Sequence, residues 1–192
     1  MSHFTFREGR LYAENVAVSD IAESHGTPCY VYSRGALEAA FTEYLQALEG
    51  ADHLVCYAVK ANSNLAVLDV LARLGAGFDI VSGGELERVR AAGGELATVT
   101  FAGVGKSRTE IDQALAAGIG CFNVESAFEL DLVSAAAVAL GRDAPVALRV
   151  NPDVDAKTHP YISTGLKSNK FGIAIEHVRG VYQQIAGCDH LE

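Results

Sequence analysis

The chain has 192 residues, 49% hydrophobic and 20% charged, enough apolar material for one packed domain or part of a larger one. Its 24 acidic residues outnumber 15 basic ones, giving a formal net charge of −9. The lysines and arginines are scattered, so the basic patch of a nucleic-acid or anionic-lipid binder is excluded and a small-molecule ligand is favoured. No apolar run approaches the ~20 residues of a membrane span. Arg7, Glu8, Arg10 and Glu14 interrupt the start, where an export signal needs an unbroken apolar core. A cytoplasmic protein is expected. Cys29, Cys56, Cys121 and Cys188 form no Cys-x-x-Cys pair, so reduced and mostly packed cysteines are expected, with no metal site.

In chain order, residues 4–32 read as strand and turn, with apolar pieces at 11–18 and 29–32 around turn formers at 26–28. Residues 33–49 read as an amphipathic helix carrying Leu37, Phe41, Tyr44, Leu45 and Leu48 on one stripe. Five short apolar segments follow, at 54–59, 78–81, 98–101, 120–124 and 146–150, each bounded by glycine or polar residues as buried strands are. Helices are predicted between them from Leu65, Leu68, Leu71 and Leu74, then Leu86 and Val89, then Ile111 and Leu115, then Phe128, Leu132 and Val133. Ser82 with Glu85, Ser107 with Glu110 and Ser126 with Glu129 predict three capping boxes. Gly75, Gly93 and Gly118 mark helix ends.

The strands advance by about 20 to 26 residues, the repeat of βα units in a parallel sheet. Periodicity alone admits either a closed barrel or a doubly wound sheet. Both put chemistry at the carboxyl ends of the strands. Residues 188–192 read as the opening of a further strand, and since five strands cannot close an eight-stranded barrel, truncation is expected.

Lys60 ends the first apolar strand, where a desolvated lysine loses its proton readily and becomes an amine nucleophile. Asp79, a carboxylate inside an apolar strand, needs a partner. If its strand lies beside that of Lys60, the two can pair. Arg149 raises the same question, its guanidinium suiting a carboxylate such as Asp79. The loop from Gly103 to Ser107 lacks the earlier glycine of a phosphate-binding loop and reads as a plain strand-to-helix turn. Residues 151–172 form a long connection of the kind that contacts substrates, with His159 and Lys170 as candidates.

The segments Tyr57-Ala58-Val59-Lys60-Ala61-Asn62, Phe78-Asp79-Ile80-Val81-Ser82-Gly83-Gly84-Glu85, Phe101-Ala102-Gly103-Val104-Gly105-Lys106-Ser107, Arg149-Val150-Asn151-Pro152-Asp153-Val154 and Lys170-Phe171-Gly172 resemble, in order and spacing, the diaminopimelate decarboxylases. These belong to the fold-type III decarboxylases that depend on pyridoxal 5'-phosphate (PLP). The stretch from Thr158 to Gly165 is closer to them than to the ornithine and arginine decarboxylases.

The resemblance implies an α/β fold, part of an alanine-racemase-like (β/α)8 barrel, with a separate β domain. Residues 1–32 contribute to that β domain, and residues 33–192 supply about five of the eight strands of the PLP-binding barrel. It implies a homodimer with active sites at the subunit interface. By the same resemblance Lys60 bonds the cofactor covalently, Asp79 and Arg149 lie near the cofactor as partners of Lys60, and meso-diaminopimelate is decarboxylated to L-lysine. The family's ring-stacking histidine, glycine-rich phosphate site, ring-nitrogen glutamate and substrate-side cysteine and tyrosine all fall after Glu192. The 192 residues alone are therefore expected not to decarboxylate. The alternatives are a non-catalytic PLP-binding barrel protein, against which the N-terminal strands and the long loop argue, and a related decarboxylase of ornithine, arginine or carboxynorspermidine.

Overall fold

The structure, a computed structural model, describes residues 3–154 and 171–192. His159 and Lys170 lie outside the described residues. The chain opens with an antiparallel meander of β1 (Phe4–Arg7), β2 (Arg10–Ala13) and β3 (Val16–Ala17). Its first turn is a two-residue loop in which Glu8 and Gly9 both take positive φ, the backbone that matches strand twist in a tight hairpin.

Residues 18–25 depart from the strand-and-turn expectation, because Val18–His25 is a helix, α1. It is two turns long and buries no residue, so its period was too short to register. The apolar piece at 29–32 is likewise no strand; Tyr30 is 92% exposed. Helix α2 (Arg34–Ala47) begins where expected, the Ser33 hydroxyl accepting from Ala36 N at 3.0 Å. Glu14, at the turn between β2 and β3, accepts from Ser33 Oγ at 2.7 Å and from Gly35 N at 2.8 Å. One carboxylate thus fastens the meander to the start of α2. The Ser33 and Gly35 bonds, aided by His3 and Arg34, hold its pKa below the usual carboxylate value.

Five parallel strands follow: β4 (Cys56–Ala58), β5 (Gly77–Ile80), β6 (Val99–Phe101), β7 (Cys121–Val124) and β8 (Val146–Leu148). Helices α3 (Leu65–Arg73), α4 (Gly83–Ala91), α5 (Arg108–Ala117) and α6 (Ala127–Leu140) separate them. The spatial order β4-β5-β6-β7-β8 repeats the chain order. A doubly wound sheet reverses its order at a switch point; this one does not, and it is an arc of a βα barrel.

Along β5, β6 and β7 the outward residues Phe78, Ile80, Val99, Phe101, Phe122 and Val124 are wholly buried under the helices. Alternate residues Asp79, Thr100 and Asn123 share the opposite face, as the two-residue strand period requires. Helix α6 buries Leu130, Val133, Ala136 and Ala137, while Phe128, expected inside, is 72% exposed. This helix is apolar on nearly every side, so its sequence could not fix which stripe faces inward.

Gly75, Gly93 and Gly118 all take positive φ at helix ends, as expected. The three serines also cap, but only Ser107 with Glu110 forms the reciprocal box. The Glu85 carboxylate reaches one residue further back, to Val81 N at 2.7 Å. That of Glu129 meets a buried lysine.

The expected strand 146–150 is broken at Arg149. Beyond it, β9 (Val150–Asn151) pairs in parallel with β10 (Ile173–Ala174), which leads into α7 (Ile175–Ala186). Arg149 still donates its N–H to Val124 O and accepts from Ile173 N at 2.7 Å. Gly172 has φ +86°, and a Cβ there would lie 2.9 Å from Arg149 O, so the close approach demands glycine. Leu191 forms a parallel bridge with Ala144 on the free side of β8, the start of the further strand read at 188–192.

Candidate active site

The carboxyl ends of β4 to β8 open onto a depression of about 540 Å³ lined by Lys60, Asp79, Thr100, Asn123, Glu125 and Arg149, with Cys56, Ala102 and Leu148. All three residues singled out from the sequence are on its wall. Lys60 stands in a short 3-10 turn, Val59–Ala61, directly after β4. The neighbouring Val59 is wholly buried and anchors that turn. Lys60 itself is exposed, and it forms no hydrogen bond or ion pair among the described residues. Its amine is uncommitted there.

Asp79 comes from β5, where it stands opposite Ala58 of β4 and Thr100 of β6. The close partner predicted for it is not made. Asp79 has no hydrogen bond or ion pair among the described residues, and Lys60, Arg149 and Lys106 act on it only through space. Partial burial outweighs that attraction and raises its pKa above the usual carboxylate value. Because the folded value is the higher one, ionised Asp79 costs stability, and the cost appears as pH rises through the window above the unfolded value. We expect Asp79→Asn to raise the melting temperature at pH 7 by about 2–4 °C or less, equivalent to ~1 kcal/mol or less given its solvent screening. Thermal melts at several pH values should show the gain fading as pH falls towards 4; a gain that grows on acidification contradicts this account.

Arg149 is paired, but not with Asp79. Its Nη1 donates to both oxygens of Glu125, at 2.8 and 3.0 Å. The Glu125 side chain is almost wholly buried, and that of Arg149 is 41% exposed. The guanidinium also lies 5.5 Å from the Phe171 ring centroid. Glu125 was not legible in sequence as a site residue, since it follows β7 and precedes the Ser126 cap and reads as part of the helix start. Thr100 and Asn123 were missed too. Their signal was present: single polar residues at alternate positions of otherwise apolar strands.

Behind the depression, Lys106 is wholly buried. Its ammonium donates to Glu129 Oε1 at 2.6 Å and to the carbonyls of Gly103 and Asn123, both at 2.8 Å. All three protons are used. The loop at 103–107 therefore presents no lysine to a phosphate, in keeping with its reading as a turn. The cysteines are all free; Cys29 is exposed and the other three are half-buried.

Diaminopimelate decarboxylase of Pseudomonas aeruginosa is 63% identical over the whole chain, which spans 46% of that relative's length. The structure matches that of diaminopimelate decarboxylase from Helicobacter pylori complexed with L-lysine, with a TM-score of 0.87 and 44% identity, over 91% of this chain and 44% of that one. It also matches diaminopimelate decarboxylase from M. jannaschii in co-complex with L-lysine, with a TM-score of 0.91 and 37% identity, over 98% of this chain and 45% of that one. The chain thus spans less than half the length of the relatives it matches. Residues 34–192 match the family described as pyridoxal-dependent decarboxylase, pyridoxal binding domain. With a βα arc, an uncommitted lysine at the end of its first strand and this match over most of its length, the chain belongs to the pyridoxal-dependent decarboxylases.

Proposed function

We propose that the protein decarboxylates meso-diaminopimelate to L-lysine with PLP as cofactor, and that Lys60 bonds the cofactor. One observation carries the reading. An amine without a partner among the described residues stands at the carboxyl end of β4, on a wall it shares with Asp79 and Arg149, in a chain 63% identical to a diaminopimelate decarboxylase.

The donor set suits PLP: an amine for the aldehyde carbon, a guanidinium for an anionic oxygen, and hydroxyl and amide groups from Thr100 and Asn123. When bound, PLP supplies an electron sink for the pair left behind as the α-carboxylate departs. Lys60 Nζ would hold the cofactor through a covalent bond to its aldehyde carbon. As a primary amine at the same wall, Lys60 would also be able to carry a proton to or from the reacting carbon. Asp79 and Arg149 orient charge around Lys60, one of each sign.

On the same reading the protein works as a cytoplasmic homodimer. Residues 1–32 contribute to a separate β domain, and residues 33–192 form part of the PLP-binding barrel. The test of the site is to incubate the protein with PLP, reduce with borohydride and locate the modified lysine by mass spectrometry, with Lys60→Ala as control. Selective labelling of Lys60 is expected. Label spread over several lysines, or unchanged in Lys60→Ala, would refute the assignment.

A further inference from the structure

Two carboxylates four residues apart, Glu125 and Glu129, flank the start of α6, and each has its own cation. Glu129 takes Lys106 at 2.6 Å, and Glu125 takes Arg149 through both oxygens. Two links join the pairs: Gly103 gives its carbonyl to Lys106 at 2.8 Å and its N–H to Glu125 at 3.3 Å, and the Glu125 backbone hydrogen-bonds the Glu129 carboxylate. Gly103 has φ +93°, and a Cβ there would lie 3.3 Å from the Val81 Cβ, so the linking turn is itself closely fitted.

We infer that the buried Lys106–Glu129 pair is a positioning device for Arg149: by holding Lys106, Glu129 leaves Glu125 free to fix the guanidinium at the wall of the depression. Among the described residues, Lys106 and Glu129 reach the lining of the depression only through backbone groups, Asn123 O and the Glu125 main chain, and through the Gly103 turn, so they are not catalytic residues. They act through Glu125. The argument runs on charge. A buried ammonium stripped of one carboxylate draws on the nearest other, because an unpaired charge in the interior is far costlier than a shared one. Glu125 is the carboxylate tied to that ammonium's own partners, through the Gly103 turn and through its charge, which bears on Glu129. Moving Glu125 towards Lys106 loosens its two-pronged hold on Arg149.

The inference rests on the proposed cofactor site at Lys60, and the test keeps the two apart. PLP affinity is measured by fluorescence titration, alongside melting temperature, for the unmodified protein, Glu125→Gln, Glu129→Gln, the two combined, and Lys106→Met/Glu129→Gln. Each Gln variant alone should weaken PLP binding by about tenfold, a step of ordinary size for coupled neighbours. The combined Gln variant should bind no worse than either single one. Lys106→Met/Glu129→Gln, with no surplus ammonium to divert Glu125, should return to within about threefold of the unmodified protein. That rescue is what a merely structural role would not give.

The inference is overturned if Glu129→Gln lowers the melting temperature with PLP affinity unchanged, if the two Gln effects multiply, or if removing Lys106 does not rescue. Should Glu129→Gln fail to fold, Glu129→Asp takes its place, keeping the charge but withdrawing it by one methylene. It must then weaken binding when Glu125 is present and not when Glu125 is already Gln. If the unmodified protein shows no PLP bound at Lys60, it is the cofactor site that fails.

Discussion

On the proposed function, and measured in a chain of its relatives' full length, Lys60→Ala is expected to lower decarboxylation of meso-diaminopimelate by on the order of 10³-fold or more, the scale on which loss of a covalent group acts. Lys60→Arg should be nearly as inactive. It keeps the positive charge beside Asp79 but replaces a primary amine with a guanidinium that stays protonated and cannot serve as the nucleophile. Both variants should fold normally, since Lys60 is exposed and unpartnered among the described residues and surface changes of that kind cost about 0.5 kcal/mol or less. Carbon dioxide release measured with the two variants, beside their melting curves, decides the matter. If Lys60→Arg kept a tenth of the activity, the charge and not the amine would be what the site uses.

Lys106→Met should have the opposite profile, with a large loss of stability. The Lys106 side chain has no exposure and that of Glu129 only 7%, so the substitution leaves a carboxylate buried without its cation. Breaking a buried pair in this way costs about 3–5 kcal/mol, readable as a shift in denaturant midpoint. Burial already holds the Glu129 pKa above the usual value despite the Lys106 bond. Without Lys106 it rises further. A raised folded value means that stability is lost as pH increases through the window above the unfolded carboxylate value, and regained as pH falls back through it. The variant should therefore recover part of its loss when pH is lowered from 8 to 5. A loss that does not change with pH would mean that packing around the methionine, and not the orphaned carboxylate, is responsible.

The strands were legible because each apolar run was bounded by glycine or polar residues, and the middle three were followed by helix-capping serines, signals that act within a few residues. Chain-order strand adjacency was not legible, since the repeat from Val59 to Arg149 fits a wound sheet as well as a barrel. Lys60, Asp79 and Arg149 could be picked out as polar residues at apolar strand ends, and the structure brings all three to one wall. What could not be read was pairing. Asp79 and Arg149 were natural partners by charge alone, yet strand register and the turn after β7 deliver Glu125 to Arg149 instead. In the same way Ser126 and Glu129 had the spacing of a capping box, but a lysine from another loop, 23 residues earlier, claimed the carboxylate. Long-range ion pairs depend on where loops meet. Local spacing carries no record of that.

The alternation along β5 to β7 has a practical meaning for anyone redesigning the molecule. Phe78, Phe101 and Phe122 lock the sheet to its helices, while their immediate chain neighbours Asp79, Thr100 and Asn123 face the depression. Adjacent codons thus govern separate properties. Substitutions at Asp79, Thr100 or Asn123 can retune ligand preference without loosening the helical layer, whereas the three phenylalanines leave no such freedom.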